Sequence, residues 1–195
     1  MQWRQPPERV NHLHGDLVEF GRGRSRSRGY LAHSDRVGPG VLLLDQHGHA
    51  RADELNGEGF TVLVPELDLD AGDGGAIVAA AEYLSANWHP RLGVVGVGPE
   101  GAAASKVLVT REVAFDVLVL YGGFWIGEPL PRMPVVGHFF EDADLDDLKR
   151  LRRDLSSQGQ VPELYTYPAA SPDEGAGALE LAHARTLEAL EYLLS

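Results

Sequence analysis

The sequence predicts an α/β fold with a mostly parallel sheet that begins with an antiparallel hairpin and is covered by helices on both faces. From Val41 onward, short apolar runs alternate with helical stretches, which is typical of successive βα units. The apolar runs are continuous, as expected for strands that are buried on both faces. The 195 residues, of which 44% are apolar, suffice for one core, so we expect a single domain spanning residues 1–195.

The hairpin is predicted from two short strand patterns, Leu17–Phe20 and Arg28–Ala32, that no helix separates. Because consecutive strands joined by a short turn pair antiparallel, we expect them at an edge of the sheet. The turn between them is rich in arginine. On an acidic protein, a basic loop of this kind is interpreted as a solvated turn.

The parallel part of the sheet is predicted from six further strand patterns. They are Val41–Leu44, Phe60–Val64, Leu92–Val95, Val117–Tyr121, Pro134–Phe139 and Glu163–Tyr167. The predicted helices are Ala50–Glu58, Ala76–Trp88, Ala102–Val109, Asp144–Ser157 and Leu179–Leu194. In such sheets ligands bind at the carboxyl ends of the strands, so candidate site residues are sought in the segments that follow them.

The composition disfavours several kinds of partner. A formal net charge of −12 disfavours binding to nucleic acid or to an anionic membrane surface. The absence of cysteine rules out disulfides and a thiolate nucleophile. No apolar run approaches the length of a membrane span, and the N-terminal residues lack a signal-peptide pattern, so a cytoplasmic location is expected. The apolar face of the last helix, with Leu187, Leu190 and Leu194, suits either core packing or a homodimer interface.

A glycine-rich turn, GVGPEG, lies between a predicted strand and a predicted helix, and it is the segment that best distinguishes between the possible functions. A strand, a sharp turn and a helix form the nucleophile elbow of α/β-hydrolases. The spacing of Gly96, Gly98 and Gly101 also matches the dinucleotide-binding fingerprint, which suggests an NAD(P)-dependent oxidoreductase. However, that fingerprint belongs in the first βα unit, and the acidic residue at the expected distance, Asp116, precedes a strand instead of following it. The NAD(P) hypothesis is therefore kept only as an alternative.

Several local motifs occur in order along nearly the whole chain. They are Gly29–Ala32 (GYLA), Val41–Gly48 (VLLLDQHG), Glu58–Leu67 (EGFTVLVPEL), Gly93–Gly96 (GVVG), Pro134–Phe139 (PVVGHF) and Tyr167–Pro168. In sequence and order they resemble the dienelactone hydrolase family of the α/β-hydrolases. The resemblance implies a three-layer α/β-hydrolase fold with a nucleophile at the elbow, an acid after the PVVGHF strand and a histidine shortly after Tyr167.

The resemblance breaks at the residues that carry the chemistry. The nucleophile position corresponds to Gly98, and the next residue, Pro99, has no N–H to donate to an oxyanion. Loss of one oxyanion donor alone typically slows catalysis by about two to three orders of magnitude. The histidine position falls near Pro172, and the acid position falls near Ala143, which Asp142 and Asp144 flank.

These departures predict a hydrolase-fold protein that lacks the usual triad, uses no cofactor and acts as a small-molecule binding or interaction protein. The expected pocket residues are Asp45, His47, Gly98, Pro99, Tyr121, Asp142 and Pro172. They lie at or near the ends of predicted strands, where side chains from separate parts of the sequence meet.

The alternative is an active hydrolase or acid–base enzyme with relocated chemistry at the turn that holds Asp45, His47 and His49. These residues could act as general acid or base, with or without a metal, on a small ester, lactone or carbonyl compound. A His-x-His pair can bind a metal, but exposed histidines in a turn are the simpler interpretation, so no metal is predicted. His138, within a strand, is interpreted as a hydrogen-bonded core residue.

Overall fold

The computed structural model describes most of the chain, namely residues 13–21, 23, 26–35, 38–67, 74–87, 90–102, 114–122, 130–140, 143–167 and 172–195. The strands are β1 (Leu13–Phe20), β2 (Ser27–Ser34), β3 (Gly40–Leu44), β4 (Thr61–Pro65), β5 (Leu92–Val97), β6 (Val117–Tyr121), β7 (Val135–Phe139) and β8 (Glu163–Thr166). The helices are α1 (His49–Gly57), α2 (Gly74–Asn87), α3 (Leu145–Ser157) and α4 (Pro172–Leu194), and residues 98–102 are also helical.

Within the described residues, eight strands form one mixed sheet in the order β1-β2-β4-β3-β5-β6-β7-β8. β1 and β2 pair antiparallel, β2 also pairs antiparallel with β4, and all other neighbours are parallel. The predicted parallel sheet and its antiparallel hairpin are therefore confirmed. β1 begins at Leu13 rather than at Leu17, because His14, Gly15 and Asp16 interrupt the apolar pattern before Leu17.

The strand order has a topological switch point between β3 and β5. From β3 the chain moves to β4 on one side, whereas β5, β6 and β7 follow one another on the other side. In open α/β sheets, ligands bind outside the carboxyl ends of the strands at a switch point of this kind. Asp45 follows β3 and Gly98 follows β5, so two distant parts of the sequence supply residues to one edge of the sheet.

Alternate residues of the central strands pack into two hydrophobic layers on opposite faces of the sheet. In β3, Leu42 and Leu44 belong to one layer, while Val41 and Leu43 belong to the other. Helices α2 and α3 cover the first layer, and α1 and α4 cover the second. This arrangement confirms the predicted three layers and explains why the central strands are apolar.

Two helices begin at least four residues earlier than the sequence predicts. α4 begins at Pro172 rather than at Leu179, because residues 172–178 contain no large apolar side chain and so show no helical periodicity. The helix after β5 begins at residue 98 rather than at Ala102, where glycine and proline hide its start. Near the end of α4, Leu190 and Leu194 are buried against the sheet. No helix in the described part of the chain is long and apolar enough to cross a membrane.

Candidate functional site

Strand β5 passes directly into a helix at Gly98. This residue has a φ of +56°, a left-handed conformation that glycine adopts without the steric cost of a side chain. Two further glycines bring the helix close to the strand. A Cβ on Gly96 would lie 2.5 Å from the Cα of Gly101, and one on Gly101 would lie 2.8 Å from the carbonyl carbon of Gly96. Backbone contact within the turn therefore explains the spacing of these glycines.

The turn at Gly98 lies beside a second left-handed glycine, Gly122, which follows β6 and has a φ of +80°. A Cβ on Gly122 would lie 4.0 Å from the Cα of Gly98. Among the described residues, a Cβ on Gly98 would come within 4 Å only of the Glu100 carboxylate, at 3.9 Å. Pro99 is exposed. Within the described part of the chain, the backbone turns after β5 and β6 therefore lie next to each other, with the Glu100 carboxylate nearby.

Asp45, directly after β3, is held by Arg51, which was not among the predicted site residues. The Arg51 guanidinium donates to Asp45 Oδ2 at 2.6 Å, and the backbone N–H of His47 donates to Asp45 Oδ1 at 3.0 Å. The Asp45 side chain is only 18% exposed. The one signal in the sequence was the position of Arg51, in the first turn of the helix that directly follows Asp45.

Tyr121 connects this strand edge to α4. The guanidinium carbon of Arg51 lies 5.6 Å from the centroid of the Tyr121 ring, within the range of a cation–π contact. The Tyr121 hydroxyl donates to the carbonyl of Ala182 at 3.3 Å and lies 2.7 Å from Thr186 Oγ1. Burial raises the pKa of this hydroxyl. Tyr121 therefore fixes the end of β6 to α4 through a neutral phenol.

A buried histidine continues this network. His138 in β7 is 0% exposed, with Nε2 at 3.0 Å from Thr186 Oγ1 and Nδ1 at 2.9 Å from the Tyr167 hydroxyl. A neutral imidazole protonated on Nε2 satisfies both contacts, because it donates to Thr186 and accepts from Tyr167. Burial, together with the charge of Arg185, lowers the pKa of His138 to about 4. The predicted hydrogen-bonded core histidine is confirmed.

The other predicted site residues that the structure describes follow two different strands, β3 and β8. His47 is exposed, and His49, the first residue of α1, stacks on Tyr30 with ring centroids 4.4 Å apart. Pro172 is the first residue of α4, and Asp142 lies outside the described residues. In the part of the chain that the structure describes, no three His, Cys, Asp or Glu residues are grouped so that they could hold a metal ion.

The carboxylate that the dinucleotide hypothesis requires lies at the wrong edge of the sheet. Asp116 precedes β6, and its Oδ2 accepts a hydrogen bond from the backbone N–H of Leu92 at 2.8 Å. Leu92 is the first residue of β5, whereas Gly98 follows the last. Asp116 therefore connects the amino ends of two strands and does not face the glycine-rich turn.

The arrangement of strands and helices is similar to that of several solved hydrolases, although no family model and no curated protein matches the sequence. A dienelactone hydrolase from Anabaena variabilis aligns with a TM-score of 0.71 and 18% identity, over 94% of this chain and 99% of that one. A cold-adapted esterase from an Arctic intertidal metagenomic library gives a TM-score of 0.67 and 18% identity over 100% of both chains. A bacterial heroin esterase gives 0.67 and 16% identity, over 96% of this chain and 86% of that one.

The chain has the α/β-hydrolase fold. The resemblance to dienelactone hydrolases is thereby confirmed for the fold, and the motifs that carry it include β3, β4 and β7. In an α/β-hydrolase the nucleophile stands on the sharp turn from a strand into the following helix. In this hydrolase-fold chain, the turn from β5 into the helix at residues 98–102 has that form, and Gly98 is its first residue after the strand.

Proposed function

We propose that this hydrolase-fold protein binds a small molecule at the carboxyl edge of the sheet and does not cleave esters through a nucleophile at the elbow. The observation that supports the proposal is Gly98, a residue with no side chain at the turn where an α/β-hydrolase carries its nucleophile. Pro99, the next residue, has no N–H with which to stabilise an oxyanion. The turn thus carries neither an attacking side chain nor this oxyanion donor.

The charges at this edge favour an uncharged ligand. Asp45 and Arg51 are paired with each other at 2.6 Å, so their charges compensate. Beside Gly98 and Gly122 the described residues offer backbone hydrogen-bonding groups, and the nearby Glu100 carboxylate disfavours an anionic ligand. A small carbonyl compound with the shape of an ester or lactone matches these features.

The two alternatives have less support. Acid–base chemistry at the Asp45 turn requires a free carboxylate near a histidine, but Asp45 is held by Arg51, and His49 stacks on Tyr30. The NAD(P) hypothesis rests on a glycine spacing that backbone contact between Gly96 and Gly101 already explains. Neither alternative is favoured by a further observation at this edge.

The proposal is tested with benzylacetone, a ketone analogue of benzyl acetate in which a methylene replaces the ester oxygen. We expect this compound to bind with a Kd of about 1 mM or tighter, as measured by NMR titration. Replacing Gly98 with leucine adds a bulky side chain at the proposed site and is expected to weaken binding at least about tenfold.

Gly159→Leu is the matched control for Gly98→Leu. Gly159 has a φ of +81° and nothing within 4 Å of a Cβ among the described residues, so both substitutions impose similar left-handed strain. Gly159 follows α3 and lies outside the proposed site. Equal binding of benzylacetone by the two variants contradicts a ligand site beside Gly98.

A further inference from the structure

A second concave region lies at the opposite end of the strands, between the beginnings of β7 and β8 and the C-terminal half of α4. It has a volume of about 330 Å³, within the range of about 300–1,000 Å³ that small-molecule sites occupy. Val135 and Glu163, the first residues of their strands, contribute to its lining. This region, called here the α4 cleft, is therefore separate from the site at the carboxyl edge.

Arg185 supplies the positive charge of the α4 cleft. Its guanidinium carbon lies 4.0 Å from the centroid of the Tyr165 ring, and its Nη1 donates to the Tyr167 hydroxyl at 3.2 Å. Tyr165 also stacks on the buried His138, with the two ring planes 10° apart. These contacts orient the guanidinium and use only one of its five N–H donors within the described residues. The others remain available to a planar anion such as a carboxylate.

Two carboxylates line the same cleft without pairing with Arg185. Glu163 Oε2 accepts from the Tyr165 hydroxyl at 2.6 Å, and Glu188 is exposed on α4. Among the described residues, neither glutamate forms an ion pair with Arg185. The cleft therefore holds opposite charges that are not paired with each other, beside an apolar wall that includes Val136 and Leu193.

We propose that the α4 cleft binds a zwitterionic α-amino acid with an apolar side chain. The ligand carboxylate accepts hydrogen bonds from Arg185, the ammonium lies toward Glu163 and Glu188, and the apolar side chain packs on the wall of the cleft. An anion without an ammonium meets two uncompensated carboxylates, and a cation without a carboxylate meets the Arg185 charge. Only a ligand with both charges complements both sides.

The test compares L-phenylalanine with two analogues that each lack one charged group. Hydrocinnamate lacks the ammonium, and phenethylamine lacks the carboxylate. By isothermal titration we expect L-phenylalanine to bind, and each analogue to bind at least about tenfold more weakly. The proposal is overturned if L-phenylalanine does not bind at concentrations up to about 10 mM, or if either analogue binds as tightly.

A pair of isosteric variants places the ligand in the cleft. Glu188→Gln removes an exposed partner of the ammonium, so it is expected to weaken L-phenylalanine binding about three- to tenfold. Hydrocinnamate has no ammonium, and its binding is expected to stay unchanged or to become tighter. The control is Glu191→Gln. Glu191 is an exposed residue of α4 that does not line the cleft, so this substitution is expected to leave the affinities for L-phenylalanine and hydrocinnamate unchanged. Equal L-phenylalanine affinity in the two variants overturns the proposal.

Discussion

Replacing Gly96 with alanine is expected to destabilise the protein by about 3 kcal/mol. The added Cβ would lie 2.5 Å from the Cα of Gly101, an atom of the backbone rather than the end of a flexible side chain. Gly96 is held in place by its pairing with Leu44 of β3 and Leu120 of β6. The helix after β5 must therefore move away from the strand. Urea denaturation at neutral pH measures the loss as a lower midpoint with an unchanged m-value.

Gly57→Ala is the control for this substitution. Gly57 is the last residue of α1, has no positive φ and, among the described residues, has nothing within 4 Å of an added Cβ. Alanine there is expected to leave stability unchanged or to raise it by up to about 1 kcal/mol. If the Gly96 variant is as stable as the Gly57 variant, the close contact within the elbow is contradicted.

The second large effect is a pH dependence of the free energy of unfolding, which arises from buried His138. Its pKa is lowered from 6.5 to about 4 in the folded protein, because burial disfavours the charged imidazolium. Between these pH values the unfolded chain binds a proton that the native state excludes. The stabilisation from neutral His138 is therefore complete above about pH 6.5, and about 3 kcal/mol of it is lost as the pH falls toward 4.

Urea unfolding of the wild-type protein and a His138→Gln variant between pH 7 and pH 4 isolates this contribution. Glutamine does not titrate, so the difference in unfolding free energy between the two proteins is expected to narrow by about 3 kcal/mol as the pH falls. His47→Gln, at an exposed position in the turn after β3, is the control and is expected to follow the wild-type curve. If the unfolding free energies of the wild type and of His138→Gln change equally with pH, the lowered pKa of buried His138 is contradicted.

The fold could be predicted because burial leaves a local pattern in the sequence. Strands such as β3 and β6 lie between two helical layers, so each is apolar at every position. Helix α3 was visible from its acidic start, since Asp144 accepts hydrogen bonds from the backbone N–H groups of Asp146 and Asp147. These signals depend on neighbouring residues and require no knowledge of distant contacts.

The details of the two sites could not be predicted in the same way. The pairing of Asp45 with Arg51 depends on how α1 turns back over the end of β3, which no periodicity records. The α4 cleft depends on Arg185 meeting Tyr165, residues on different elements whose contact arises only when α4 packs against the sheet. The early start of α4 was also hidden, because its first turns carry small and polar residues.

The most direct test of the central claim is an aryl-ester hydrolysis assay on the purified protein, with the Gly98→Ser variant beside it. Because Gly98 offers no nucleophile and Pro99 no oxyanion donor, we predict that the unmodified protein releases nitrophenol from nitrophenyl acetate no faster than buffer does. The serine variant is expected to be inactive as well, since Pro99 still has no backbone N–H to donate to the oxyanion. The claim is contradicted if the unmodified protein hydrolyses the ester with saturable kinetics and this activity co-elutes with the protein on size-exclusion chromatography.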